Sequence, residues 1–247
     1  SALATGHYCK RKKSSGTPAE LWEGEDKNKD QSYFLCQLNQ KQLSRILFPI
    51  GNLKKTDVRK IANDIGLVNA EKKDSQGLCF IGKVKLPVFL QQQLAPKEGK
   101  IIEIPAIYTE YTYKDTKIET LCKPFIHTEN AGKKVGNHNG AHYYTIGQRK
   151  GLNIGGTPEP LFVIDTDTTE NIIYTGQGEN HPGLYRKGLF VASKDIHQTR
   201  EDLPLKNGDI KKYSCRIRYR QALTKATFHK KEDGLYVIFD EHQRTNQ

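Results

Sequence analysis

Apolar residues recur along the chain in two rhythms, and the rhythm changes near Gly99. Before that point the spacing is helical. In LNQKQLSRILFP, residues 38–49, Leu43, Ile46 and Leu47 fall on one helical face, with Asn39 placed to cap the first turn and Pro49 to stop the last. In KTDVRKIANDIG, residues 55–66, Val58, Ile61, Ala62 and Ile65 form a stripe, Thr56 is the predicted cap and Gly66 the left-handed residue past the end. KLPVFLQQQL, residues 85–94, predicts one more short helix. After Gly99 the pattern becomes that of strands and turns. GKIIEI (99–104) and YTEYTY (108–113) are β-branched or aromatic, and LFVID-TDTTEN-IIYTG (161–176) predicts a hairpin. GLFVAS, YSCRIRY, KATFH and LYVIF follow at nearly regular spacing, as in a small barrel or sandwich. No internal repeat is present, and KKSSGTPAE (12–20) reads as an exposed loop.

Composition narrows the classes. A chain of 247 residues holds two or three small domains, each with a core. No apolar run reaches the length of a membrane span. The first residues, SALATGHYCKRKK, contain no signal-peptide core and read as a chain opened inside a domain. The formal charge of +11 predicts a polyanionic partner, against the alternative of a merely solvated basic surface. The five cysteines, Cys9, Cys36, Cys79, Cys122 and Cys215, form no C-x-x-C pair. They support neither a zinc finger nor a disulfide framework, and a reducing cytoplasm fits them better.

Several short stretches carry candidate chemistry. ATGHY (4–8) turns at Gly6, where a backbone can approach a nucleotide closely. NKDQSYF (28–34) groups Lys29, a phosphate-binding type, with Asp30 and Gln31, which can read base or ribose edges or cap a helix. KKDSQGLCFIG (72–82) sets Cys79 after two lysines and a glycine turn. Nearby positive charge favours the reactive thiolate, whereas a free cysteine is as readily a buried packing residue. HYYTIGQRKGLNIGG (142–156) suits either a backbone surface held against a charged ligand or a glycine-rich turn between strands. RIRYRQ (216–221), read as a strand, aligns Arg216, Arg218 and Arg220 on one face as a phosphate-tracking stripe, opposite Ile217 and Tyr219.

Taken in order, ATGHY, NKDQSYFL, LFPIG, VRKIA, KKDSQGLCFIG, YTIGQRKGLNIGG and RIRYRQ resemble the tRNA-specific 2-thiouridylases of the MnmA/TrmU type, from residue 4 to about residue 221. The resemblance implies an incomplete α/β nucleotide-binding domain of the adenine-nucleotide alpha-hydrolase kind over 1–81. It implies a small central domain over 82–181 and a truncated C-terminal β-barrel of about six strands over 182–247. It also implies ATP-dependent delivery of a persulfide sulfur to C2 of the wobble uridine of tRNAs of the Lys, Glu and Gln type. Cys79 takes the place of the persulfide cysteine, Gly6 that of a nucleotide contact, and His7, Lys29, Asp30, Gln31, Arg218 and Tyr219 those of tRNA contacts. ATP and Mg2+ are the implied cofactors, with no metal ligand assigned on the chain. The implied partners, besides tRNA, are a sulfur-relay protein or cysteine desulfurase, and the expected state is a monomer free of the membrane. The family's phosphate loop of the SGGVDS kind and its second catalytic cysteine have no counterpart here. That marks the chain as the distal part of such an enzyme or the ordered part of a longer one. An insertion over residues 105–130 carries no reading. Two rival readings remain: a catalytically inert tRNA-binding module, and an unrelated nucleotide-dependent ligase with an unreactive Cys79.

Overall fold

The computed structural model describes residues 2–72, 94–219 and 221–244. The chain divides into two compact units, Ser1–Ser75 with Ala192–Asn207, and Gln76–Val191 with Gly208–Gln247.

The first unit is α/β. Strand β1 (Leu3–Ala4) pairs in parallel with β4 (Ile46–Leu47), and β2 (Cys9–Lys12) pairs antiparallel with β3 (Glu20–Glu23). Between them lies α1 (Gln40–Leu43), a single turn. Asn39 caps it as expected, in a reciprocal box with Gln42. The predicted long helix over 38–49 is not formed. The chain turns at Ser44–Arg45, Ile46 and Leu47 become a strand, and Leu43 and Ile46 are buried while Leu47 is not. Two β-ladder partners at β1 outweigh continuation of a helix whose third turn would meet Pro49.

Helix α2 (Lys55–Asp64) matches its predicted span. Its end is a Schellman motif: Gly66, at φ +70°, donates to Asn63, and Leu67 donates to Ala62. Thr56 is not its cap but lies inside the helix, and the Lys55 N–H is satisfied instead by Asp26 Oδ2 at 3.0 Å. The apolar stripe lies largely exposed among the described residues, Ile61 by 47% and Ile65 by 66%. The second piece of the unit returns from far along the chain. Gln40 Nε2 donates to the Thr199 carbonyl at 2.5 Å, Thr199 Oγ1 to the Cys36 carbonyl at 3.1 Å, and Arg200 pairs with Glu20.

The second unit is built on two four-stranded sheets. One has the order β6 (Lys133–His138), β5 (Gly99–Glu103), β8 (Ile172–Gln177), β7 (Leu161–Asp167), with the central pair parallel and the rest antiparallel. Its strands are apolar at consecutive positions because both faces are covered. Ile102, Ile164, Ile172 and Tyr174 pack on one side; Ile101, Val163 and Ile173 pack on the other. The other sheet runs β10 (Ile210–Cys215), β11 (Thr224–Lys230), β12 (Gly234–Arg244), β9 (Tyr185–Ala192). It is an open sheet among the described residues, so the closed barrel expected for 182–247 is not seen.

Two predicted strands differ in kind. YTEYTY is not a strand but contains a 3-10 turn, Thr109–Tyr111, and Tyr108 and Tyr111 meet edge to face at 5.5 Å against the buried sheet. The residues 105–130 are thereby a cover for that sheet. His127, its side chain fully buried, stacks on Tyr174 and places Nδ1 2.9 Å from Asp165 Oδ2. The Tyr111 hydroxyl lies 3.2 Å from its Nε2. The short helix α3 (Ile118–Leu121) of the same segment meets β12, where the buried Cys122 thiol donates weakly to the Val237 carbonyl. RIRYR is the second case: after β10 ends at Cys215 the chain bends through Ile217–Tyr219. The helix predicted at 85–94 falls, up to residue 93, outside the described residues.

Candidate functional site

Parallel α/β sheets bind ligands beyond the carboxyl ends of their strands. At that edge of the β1–β4 pair lie two loops, residues 5–8 and 48–52. Thr5 N–H donates to the Leu47 carbonyl at 3.0 Å and fixes the first loop beside the second. Gly6 then stands exposed, and a Cβ placed there would meet nothing within 4 Å. His7 has Nδ1 2.7 Å from Thr5 Oγ1, which orients the ring and commits that nitrogen.

The structure brings the distant Lys29–Gln31 turn onto this loop. Tyr8 N–H donates to Gln31 Oε1 at 2.9 Å, and Gln31 N–H donates to the Tyr8 carbonyl at 2.9 Å. Asp30 is buried, with Oδ1 accepting from Gly24 N–H (3.0 Å) and Ser32 N–H (3.3 Å), and Oδ2 from Ser32 Oγ (2.8 Å). Its carboxylate therefore points into the loop it organises. Asp26 accepts from Asn28 N–H and, as noted, from the first N–H of α2. The bond from the Lys55 N–H, more than that from Asn28, holds the Asp26 carboxyl below the ordinary range. The Glu25 N–H donates to the Gly51 carbonyl at 2.9 Å. Gly51 must be glycine, since a Cβ there would lie 1.9 Å from the Cys9 carbonyl oxygen. Gly51 was visible in LFPIG, but nothing in the sequence alone said what it packs against. Asp26 carried no signal at all, because its partner is 29 residues away.

The cysteines separate clearly. Cys9 is fully buried, and burial, with Asp30 nearby, pushes its thiol up to about 12. Burial raises Cys122 to about 11, and raises Cys215 as well. Thiols held protonated in this way are poor nucleophiles. Cys36 is exposed. Cys79, the predicted reactive sulfur, lies outside the described residues.

In the second unit, RIRYRQ is not a strand. β10 ends at Cys215 and the chain bends through Ile217–Tyr219. Gln221 closes the bend: its Oε1 accepts from Ile217 N–H at 3.0 Å, its N–H donates to the Arg218 carbonyl at 3.3 Å, and its Nε2 donates to Gln243 at 2.8 Å. The strand-spaced arginine stripe is thus replaced by a turn carrying half-buried Arg216, Arg218 and Tyr219, while Arg220 lies outside the described residues. The glycine-rich stretch 142–156 is a loop clamped on β7, with Gly147 N–H donating to Val163 at 2.7 Å and Val163 N–H to Gln148 at 2.9 Å. Its Gly147 and Gly151 have φ of 83° and 88°, which explains the residue type. Among the described residues no three His, Cys, Asp or Glu side chains gather to hold a metal, and no helix is long and apolar enough to cross a membrane.

Residues 1–83 match the family model of the tRNA methyl transferase HUP domain, and residues 118–177 that of the tRNA methyl transferase PRC-barrel domain. With the parallel strand pair and its loops, this defines a protein of the nucleotide-binding α/β class joined to a PRC-barrel. Over 251 aligned residues the chain is 57% identical to a tRNA-specific 2-thiouridylase MnmA of Christiangramia forsetii, covering 98% of this chain and 64% of the relative. It is 54% identical to the protein of the same name from Flavobacterium johnsoniae, with 98% and 64% covered, and 44% identical to one from Chlamydia trachomatis, with 96% and 57% covered. Along 96–98% of its length the chain is thus similar to tRNA-specific 2-thiouridylases. It spans 64% of the length of the first two of these relatives.

Proposed function

We propose that this chain is part of an enzyme that replaces the C2 oxygen of the wobble uridine of tRNA by sulfur, acting in the cytoplasm on acceptors of the Lys, Glu and Gln type. The observation that carries the proposal is the loop pair at the carboxyl edge of β1 and β4, where Gly6–Tyr8 and Lys29–Gln31 are locked together by two hydrogen bonds. The open face of Gly6 fits a nucleotide brought against the backbone. ATP held against that backbone would supply the activation that makes the uridine oxygen a leaving group, and Mg2+ would accompany it.

The chain's own residues divide the remaining work. His7, with Nδ1 committed to Thr5, offers Nε2 to the RNA. Lys29 meets a phosphate, while Asp30 and Gln31 hold the turn that presents it. Arg218 and Tyr219 meet the tRNA from the bend closed by Gln221. Cys79 carries the persulfide, loaded by a relay protein or desulfurase. Its terminal sulfur attacks C2 and the activated oxygen departs; a second thiol then takes up the Cys79 sulfur as a disulfide and leaves the transferred atom on the base.

The test is Cys79→Ser in the full-length enzyme. tRNA binding should be retained, thiolation lost, and the mass of one added sulfur after incubation with donor should disappear. Thiolation at the wild-type rate would refute the assignment. Retained binding with no thiolation by the wild-type enzyme under any donor would favour the inert tRNA-binding reading.

A further inference from the structure

Strand β2 leaves the candidate site two residues after His7 and reads Cys9, Lys10, Arg11, Lys12, with Lys13 next. One side of it borders a groove of 530 Å³, with Lys10, Arg11 and Lys12 on one wall and Phe48, Pro49 and Asn52 on the other. Phe48, Pro49 and Asn52 belong to the loop at the carboxyl end of β4, so the groove continues the edge where Gly6 and His7 stand.

The cations differ in what holds them. Lys10 is neutralised by Glu25 at 3.0 Å. Arg11 uses one Nη1 N–H on the Ser44 carbonyl at 2.8 Å, which orients the guanidinium without neutralising it. The Lys12 ammonium lies 3.4 Å from the centroid of the Trp22 ring, a position that fixes the cation and leaves its charge intact. Glu20, directly across the hairpin from Lys12, is taken by the Trp22 indole N–H at 2.7 Å and by Arg200. Arg11 and Lys12 are therefore oriented cations with no carboxylate partner among the described residues. Cations pre-oriented by neutral groups lose little side-chain entropy on meeting an anion. Trp22 itself has one face occupied by Lys12, so it is not a free platform for stacking a base.

We propose that this groove binds the ribose-phosphate backbone of the substrate RNA through Arg11 and Lys12, as a sequence-independent extension of the Gly6–His7 site. The occupant follows from charge and from continuity with that site, and the proposal rests on the tRNA reading above.

The test uses labelled tRNA titrated over a range of salt concentrations, with Lys12→Gln, Arg11→Gln and Lys12→Arg beside the wild type and thermal melts to confirm folding. Trp22 is the only tryptophan of the chain and carries the Lys12 ammonium on its face, so its emission reports the environment of that cation. Lys12→Gln and Arg11→Gln should each weaken binding roughly three- to tenfold and lower the salt slope by about one ion, equally for tRNA and for an unrelated RNA of the same length. Trp22 emission should respond to RNA in the wild type and in Lys12→Arg, and far less in Lys12→Gln. Wild-type binding with an unchanged slope in folded Gln variants overturns the groove and spares the tRNA reading; absence of tRNA binding by the wild type overturns both. Lys12→Arg binding as poorly as Lys12→Gln, or a larger loss toward polyglutamate than toward RNA, also overturns it.

Discussion

Asp30→Ala isolates what a buried carboxylate does in a segment expected to touch RNA. In the folded chain its two oxygens accept from Gly24 N–H, Ser32 N–H and Ser32 Oγ at 2.8–3.3 Å. Removing them leaves the Gly24 N–H buried with no acceptor, while the half-buried Ser32 groups regain water. A hydrogen bond to a charged group contributes about 1.5–3 kcal/mol, and an orphaned buried donor costs about 1–3 kcal/mol. The two overlap, so the expected loss is about 3 kcal/mol, a large part of the stability of an ordinary domain. Asp30→Asn keeps one oxygen for the two backbone donors, and the Ser32 hydroxyl can reverse its role, so about 1 kcal/mol is expected. Urea unfolding followed by the emission of Trp22 reads this unit specifically, because the chain's single tryptophan lies on β3. The reasoning is refuted if Asp30→Ala unfolds at the wild-type midpoint with an unchanged slope while its tRNA affinity falls. That result would make Asp30 a contact and not a framework group.

Two further outcomes follow from burial and pairing. At pH 8 iodoacetamide should alkylate exposed Cys36 well before Cys9 and Cys122, whose thiols burial holds protonated, as peptide mass spectrometry can show; prompt labelling of Cys9 in the folded chain would contradict its placement. Asp165 is pulled upward by burial, but its hydrogen bond with His127, helped by the Thr166 N–H and the positive charge of Arg186, outweighs this and holds its pKa below the ordinary value. The stabilisation from that depressed pKa is present above about pH 4 and is lost as pH falls through the folded value. Asp165→Asn should accordingly remove part of the acid dependence of unfolding and quicken tryptic cleavage within 105–130, and an unchanged acid profile with unchanged cleavage would reject the pairing.

Legibility in the sequence tracked the range of the interactions. Local signals held: the Asn39 cap, the span of α2 and its Gly66 terminus, and the 161–176 hairpin are all set by residues within a few positions. Ile46–Leu47 was misread because its apolar pair fits a helix or a strand, and the deciding partner, β1, is more than forty residues away. RIRYR alternates like a strand, but Gln221 closes a bend through it with its side chain, which periodicity does not encode. At the site, the motif residues were visible by type, while their division of labour was not. Burial of Asp30, the capping of α2 by Asp26 and the packing of Gly51 on Cys9 emerge only in three dimensions.

The return of residues 192–207 to the first unit has a consequence in time. Gln40 and Thr199 are joined across 159 residues, so the first unit cannot be finished when its own first 75 residues leave the ribosome. At synthesis rates of about 5–20 residues per second, the missing piece begins to arrive roughly 6–23 seconds later. Through that interval the Gln40 amide that donates to the Thr199 carbonyl, the Cys36 carbonyl that Thr199 engages and the Glu20 carboxylate that Arg200 pairs with wait for partners that translation has not yet made. The part read first is therefore completed late, after strands β5 to β9 of the second unit have emerged and before β10 to β12 follow.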